Sequence, residues 1–418
     1  MASNPNYCDI TPEIMALAQL AQQNSSIDPD DYVRYDVKRG LRDLNGKGVL
    51  AGLTEISDIV AKKMVNGEEI PCDGKLYYRG IDVEQLVKGA LEDKRYGFEE
   101  TAYLLLLGHL PNEAELTSFR DQLSYYRSLP TNFVRDIILK APSQDIMNSL
   151  ARSVLNLASY DDRCDDISLP NVMRQCVQLI ALFPMLSVYG YQAYNYREGS
   201  SLYIHAPKQE LSTAENILSL LRPDSSYSFW EAHVLDVCLT LHADHGGGNN
   251  STFTCRVLSS ADTDPYSAYA GAVGSLKGSK HGGANHQVLG MQAEIKENVK
   301  NWEDDDEVAA YIAKIVNKEA YDKTGLIYGM GHAVYTLSDP RAIICKDFAT
   351  RLAEGTEYEP ELNLLKSIER LAPEVILQEK GTNKDMCANV DMYSGFVYSM
   401  MGIPADLITP LFACSRMA

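Results

Sequence analysis

Three histidines of this chain stand in polar, glycine-rich turns. They are His245 in Asp244-His245-Gly246-Gly247-Gly248-Asn249, His281 in Lys280-His281-Gly282-Gly283-Ala284-Asn285, and His332 in Gly329-Met330-Gly331-His332-Ala333-Val334. Glycine lets backbone or a ligand approach closely, so an imidazole in such a turn is poised at a surface. One such histidine is more often a turn or cap residue than a catalyst. Three within about ninety residues, followed by Arg341, Asp391 and Arg416, change that balance. Two arginines with histidine donors suit a small dicarboxylate, because guanidinium grips carboxylates in a bidentate fork. A carboxylate in a partly apolar setting can take a proton from carbon. One neutral imidazole can hydrogen-bond the enolate oxygen that forms, and another can polarise an electrophilic carbonyl. Together these groups describe carbon–carbon bond formation α to a thioester. Plainer readings compete: Asp391 as the N-cap of the helix carrying Phe396, Val397 and Met400, Arg416 as a helix-end charge, and Lys277, Lys280 and Lys384 as solvated cations.

Helices must position most of these residues. Thr11-Pro12, Asp264-Pro265 and Asp339-Pro340 each read as a helix start with proline in the first turn. Asn112 with Glu115, Ser212 with Glu215, and Ser228 with Glu231 carry the capping-box spacing. Phe98–Leu107 is an apolar helical run stopped by Gly108 and Pro111. Val172–Tyr194 is long and apolar but holds Arg174, Gln175, Gln178 and Pro184, which reads as a buried helix rather than a bilayer span. The acidic Glu303–Glu307 segment reads as a solvated helix start. Val49–Thr54 and Lys75–Arg79, with Gly67, Pro71 and Gly74 between, predict a small β-meander. The fold class expected is mainly α, with the glycine-rich Gly271–Gly290 stretch as the candidate lobe boundary.

Composition narrows the partners. The 418 residues carry 38 basic and 57 acidic side chains, a net charge of −19. Such a chain repels phosphate backbones and anionic membranes, so neither nucleic acid nor membrane is expected as a partner. Nine scattered cysteines, odd in number and without a CxxC pair, favour reduced thiols in a cytoplasmic setting. The first ten residues show no signal-peptide pattern. No GxGxxG or Walker loop supports a nucleotide fold, and the absence of HExxH leaves no metal site expected.

The run from Gly329 to Arg341, Gly-Met-Gly-His-Ala-Val-Tyr-Thr-Leu-Ser-Asp-Pro-Arg, resembles the citrate synthase signature. His242-Ala243-Asp244-His245 with Asn249, the Ser251–Thr254 run, His281–Asn285 and Asn389-Val390-Asp391 match that family in order, over roughly Gly74 to Arg416. The resemblance implies a two-domain multi-helix fold: 1–280 as a large domain to which 401–418 returns, and 281–400 as a small domain forming the coenzyme A side of the cleft. It implies a homodimer that condenses acetyl-coenzyme A with oxaloacetate and hydrolyses the thioester, with acetyl-coenzyme A as co-substrate and no tightly bound cofactor. By this resemblance Asp391 takes the methyl proton, His281 stabilises the enol or enolate, and His332 polarises the oxaloacetate carbonyl. His245, Asn249, Arg341 and Arg416 would bind substrate, and Gly329, Gly331 and Lys384 would lie near coenzyme A. The family's last helix continues past the position of Arg416 to an arginine that reaches the partner subunit's substrate, whereas this sequence stops at Ala418. A 2-methylcitrate synthase, using propionyl-coenzyme A, would carry nearly the same motifs. Two readings of another class are a metal-dependent hydrolase, from the His242-Ala243-Asp244-His245 run, and an inactive helical scaffold.

Overall fold

The computed structural model describes residues 54–332, 334–381 and 386–418, with scattered positions between 12 and 49. Residues 1–51 and 52–418 form two compact units. The first contains a short helix, α1 (Pro29–Arg34), whose N-cap Asp28 accepts from the Asp30 amide. Of the helix expected at Thr11-Pro12, the described residues Pro12, Met15, Ala16, Ala18, Gln19 and Leu20 are helical, while Thr11 lies outside the described set.

The second unit opens with an antiparallel meander, β1 (Ser57–Val65), β2 (Glu68–Tyr78) and β3 (Ile81–Asp82). Its first strand starts later than the sequence suggested. Val49 and Thr54 are not in strand, and 50–53 lie outside the described residues. The signal overlooked is Asn66-Gly67, both at positive φ (53° and 87°), which makes the two-residue hairpin turn joining β1 to β2. Pairing shifts between Val60↔Lys75 and Lys62↔Pro71, so Cys72, Asp73 and Gly74 bulge out of β2.

Helices follow: α2 (Val83–Glu92), α3 (Phe98–Leu107), α4 (Glu113–Tyr126), a π-turn (Val134–Ile138), α5 (Ile146–Ala158), α6 (Leu169–Arg197), α7 (Thr213–Leu221) and α8 (Phe229–His242). Then come α9 (Asn250–Ser259), α10 (Pro265–Leu276), α11 (Ala284–Asn298), α12 (Asp305–Val316), α13 (Pro340–Ala353), α14 (Glu359–Lys380), α15 (Asp391–Met400) and α16 (Ala405–Arg416). All three capping boxes form, at α4, α7 and α8, and Asp264 and Asp339 cap α10 and α13 as their spacing predicts. Asp304 caps α12, so the acidic segment is indeed a helix start. Gly108 ends α3 in the left-handed conformation.

The core is built around α6. Its residues 179–190 are buried on every side, as suits an apolar helix inside a protein. It is long and apolar enough to cross a membrane, but most of that stretch lies inside the fold. Helices α5, α4, α7 and α16 pack on it. A second group joins α12 to α14, α13 to α15, and α11 to both α15 and α16. The glycine-rich stretch 271–290 spans the end of α10, a turn and the first half of α11.

Candidate active site

The end of α8 presents the first histidines. The buried Tyr78 hydroxyl lies 3.1 to 3.3 Å from the Thr240, Leu241 and Asp244 carbonyls, at and just beyond the C-terminal end of the helix. His242 belongs to the helix core: its Nδ1 sits 2.7 Å from the Cys238 carbonyl, and burial lowers it to about 3. His245 lies beyond the helix, half-buried. Its ring meets His332 edge-on at 4.9 Å and Tyr335 at 5.5 Å. Its Nε2 is buried with no hydrogen-bond partner among the described residues. Burial, then the Arg341, His332 and Arg416 charges, holds its pKa well below the usual histidine value.

Helix α16 returns to the same point. Arg416 donates from Nε to the His242 carbonyl at 2.8 Å and stacks on Phe412 at 4.6 Å. Its Nη2 is buried without a partner among the described residues. Burial lowers its pKa, though Asp244 opposes that.

His281 precedes α11 and reaches the start of α9. The Ser251 amide donates to its Nε2 at 3.3 Å, and Ser251 Oγ lies 2.9 Å from the same atom. A backbone N–H can only donate, so Nε2 carries the lone pair and Nδ1 the proton. Burial, with a smaller push from Arg416, lowers this imidazole to about 4. Asn249 caps α9: Oδ1 accepts from the Thr252 amide at 3.0 Å and lies 2.9 Å from Ser251 Oγ, and Nδ2 donates to the Gly246 carbonyl at 2.8 Å. Its amide is engaged within the chain, on the serine that holds His281.

The remaining groups hang on one stitched loop. Gly329 and Gly331 adopt φ of 84° and 83°, a conformation open to glycine. The Gly331 amide donates to the Cys387 carbonyl at 2.8 Å, and the Asn389 amide donates to the Gly329 carbonyl at 2.9 Å. This pairing registers His332 against Asp391. His332 Nδ1 accepts from the Val334 and Tyr335 amides at 3.0 and 3.2 Å, which places the ring proton on Nε2. Lys384 lies outside the described residues.

Asp391 does not cap its helix. Val390 holds the cap position, and the Asp391 amide donates to Asn389 Oδ1 at 3.0 Å. The carboxylate instead accepts from Asn285 Nδ2 at 3.0 Å. Burial raises it to about 6, although the Asn285 hydrogen bond and Arg341 pull the other way. Arg341 is 3% exposed and bound bidentate to Asp339, at 3.0 Å from Nε and 2.8 Å from Nη2. Burial would lower the guanidinium, but the Asp339 carboxylate outweighs it and raises it.

Contact or electrostatic influence thus links His245, His332, Arg341, Arg416, His281 and Asp391. Sequence reasoning missed Asn285, one helical turn beyond His281, and Asp339, read only as a cap. It also missed Ser251 and Tyr78, which lay inside quoted runs without a role. Among the described residues, His, Cys, Asp and Glu converge closely enough to hold a metal at Cys164, Asp165 and Asp264, a set that includes neither His242 nor His245.

A mainly helical frame that gathers a basic carboxylate, neutral imidazoles, the buried Arg341 and the half-buried Arg416 fits an enzyme for carbanion chemistry on a small anion. The comparisons agree. The family model "Citrate synthase, C-terminal domain" matches residues 42–418, so the chain belongs to the citrate synthase family. It is 38% identical to a citrate synthase of Synechocystis sp. over 83% of this chain and 80% of that one. A 2-methylcitrate synthase of Shewanella oneidensis is 32% identical, covering 82% of each chain. The crystal structure of citrate synthase from Pyrobaculum aerophilum superposes with a TM-score of 0.71 at 27% identity, over 91% of this chain and 89% of that one. A ternary complex of the Thermoplasma acidophilum enzyme with carboxymethyl coenzyme A and oxaloacetate gives 0.72 at 25% identity, with the same coverage. The chain is therefore an acyltransferase of the citrate-forming kind.

Proposed function

We propose that Asp391, His281 and His332 carry out the condensation of acetyl-coenzyme A with oxaloacetate. The observation that carries this reading is the state of Asp391: a half-buried carboxylate, free of capping duty, raised to about 6. Such a base is ionised at neutral pH yet more basic than an ordinary aspartate. It takes a methyl proton from the thioester, and the C–H electron pair moves into the carbonyl. His281, protonated at Nδ1, donates to the oxygen as it gains charge. His332, protonated at Nε2, donates to the oxaloacetate ketone while the new carbon–carbon bond forms. Water then hydrolyses the citryl thioester and releases coenzyme A.

His245, Arg341 and Arg416 hold the oxaloacetate carboxylates in this reading. The unpartnered Arg416 Nη2 and His245 Nε2 support it: a buried guanidinium donor without a partner suits an anionic ligand, and the His245 nitrogen can donate beside it as its Nε2–H tautomer. Asn249 acts through Ser251. Gly329, Gly331 and Lys384 take the coenzyme A side. Residues 1–280 with 401–418 form the large domain and 281–400 the small one. The packing of α16 on α6 and α8 supports that division. His245 and Arg416 then come from one domain and His332, Arg341 and Asp391 from the other, so closure completes the site and excludes water.

The enzyme works as a homodimer in the cytoplasm, in the reactions that feed the tricarboxylic acid cycle. The eight cysteines among the described residues are free thiols, which accords with a reducing compartment. Size-exclusion chromatography with light scattering tests the dimer, and a monomer at micromolar concentration would contradict it. The decisive assay is thiol release from acetyl-coenzyme A with and without oxaloacetate, Asp391→Asn being the control. Oxaloacetate-dependent release that falls by orders of magnitude in the variant is expected, and undiminished turnover removes Asp391 from its role. Propionyl-coenzyme A as the better substrate would turn the assignment to 2-methylcitrate.

A further inference from the structure

We propose that Asn285 is a positioning residue for the base, its amide selecting which oxygen of Asp391 receives the proton. This rests on the catalytic role given to Asp391 above. Asn285 is 2% exposed and sits on α11, one helical turn after His281. Its Nδ2 donates to Asp391 Oδ1 at 3.0 Å and to Ser394 Oγ at 2.8 Å. An amide NH2 has two hydrogens, and both are spent. The amide plane is thereby fixed between two residues of α15, and Asp391 Oδ1 is occupied as an acceptor. Oδ2 is left to take the methyl proton: the C–H bond breaks, its electron pair enters the enolate, and an O–H bond forms on Oδ2.

The packing is built for this contact. A Cβ on Gly395 would lie 2.8 Å from Asn285 Oδ1 and 3.0 Å from Leu289 Cδ2. Gly395 thus opens the face of α15 to the amide. Asn285 Oδ1 is buried and has no partner among the described residues, so its place is held through the two N–H bonds alone. The same amide joins the helix that begins beside His281 to the helix that begins with Asp391, so both groups of the proton transfer share one strut. Losing the donor also moves the base: without that hydrogen bond, burial acts on the carboxylate against the Arg341 charge alone, and its pKa rises.

The test compares Asn285→Ala, Ser394→Ala and Asp391→Asn in the full-length protein. Readouts are the pH profile of kcat, the oxaloacetate KM, and the isotope effect with methyl-deuterated acetyl-coenzyme A. For Asn285→Ala we expect kcat to fall about tenfold or more, in the range of a mispositioned general base. Its acid limb should move up by about one pH unit. The isotope effect should rise while the oxaloacetate KM stays within about twofold, because proton transfer alone is slowed. Ser394→Ala, which removes one anchor and keeps the bond to Asp391, should show the same changes in weaker form. It also serves if Asn285→Ala does not fold. An unmoved acid limb and isotope effect in both variants, with Asp391→Asn inactive, overturns the inference and leaves the reading of Asp391 standing. An active Asp391→Asn overturns both.

Discussion

At the scale of single residues, the site depends on burial shifting charge states. As the proposed base, Asp391 must be ionised to act, so kcat/KM should fall as pH drops through about 6. A profile flat to pH 5 would count against it. The same shift bears on stability. A carboxyl raised to about 6 favours folding while it is protonated. That contribution is complete below the unfolded value of about 3.9 and is lost as pH climbs through the folded value. Asp391→Asn, neutral at every pH, should therefore melt above the parent at pH 7.5 and alongside it near pH 4, by scanning fluorimetry. His281 is lowered to about 4, so its donor tautomer persists across the working range. His281→Ala should cost about 10²- to 10³-fold in kcat, the size of one lost oxyanion donor, and steady-state kinetics would show it.

At the scale of elements, the β2 bulge presses on the catalytic loop. The Gly74 amide donates to Ser338 Oγ at 3.0 Å, and the Tyr335 hydroxyl donates to the Lys75 carbonyl at 3.3 Å. A Cβ at Gly74 would come within 2.2 Å of the Ser338 carbonyl oxygen. Gly74→Ala should push the 335–341 loop away and raise the oxaloacetate KM more than it lowers kcat. What was legible in the sequence follows from the range of the interactions. Capping boxes and the proline starts at Asp264 and Asp339 are local, set within four residues, and they appear where their spacing placed them. The meander's first strand was read too early, because Val49–Thr54 is apolar whereas Ser57–Val65 is largely exposed and shows little burial pattern. The histidines were found through their glycines. Asn285 and Asp339 were not singled out for the site, since the partners that reveal their roles, Asp391 and Arg341, act through geometry that spacing does not display. The Asn285–Asp391 pair spans 106 residues, and the Asp339–Arg341 pair was disguised as an ordinary cap.

At the scale of the whole molecule, ligand and fold are linked. Oxaloacetate at a hundred times its dissociation constant should stabilise the protein by about 2.7 kcal/mol, seen as a higher Tm, and Arg416→Ala should abolish the rise. Arg341 adds a further consequence. Its guanidinium is already matched by Asp339 within the fold, beneath a surface of net charge −19. In the proposed site an arriving dianion competes for a cation that is spoken for, so affinity would reflect the exchange of one partner for another. Mobile ions weaken the outgoing pair and the incoming pair in similar measure, and they also mask the repulsive exterior. Equilibrium affinity should therefore stay nearly flat as potassium chloride is raised, unlike that of a bare basic cleft.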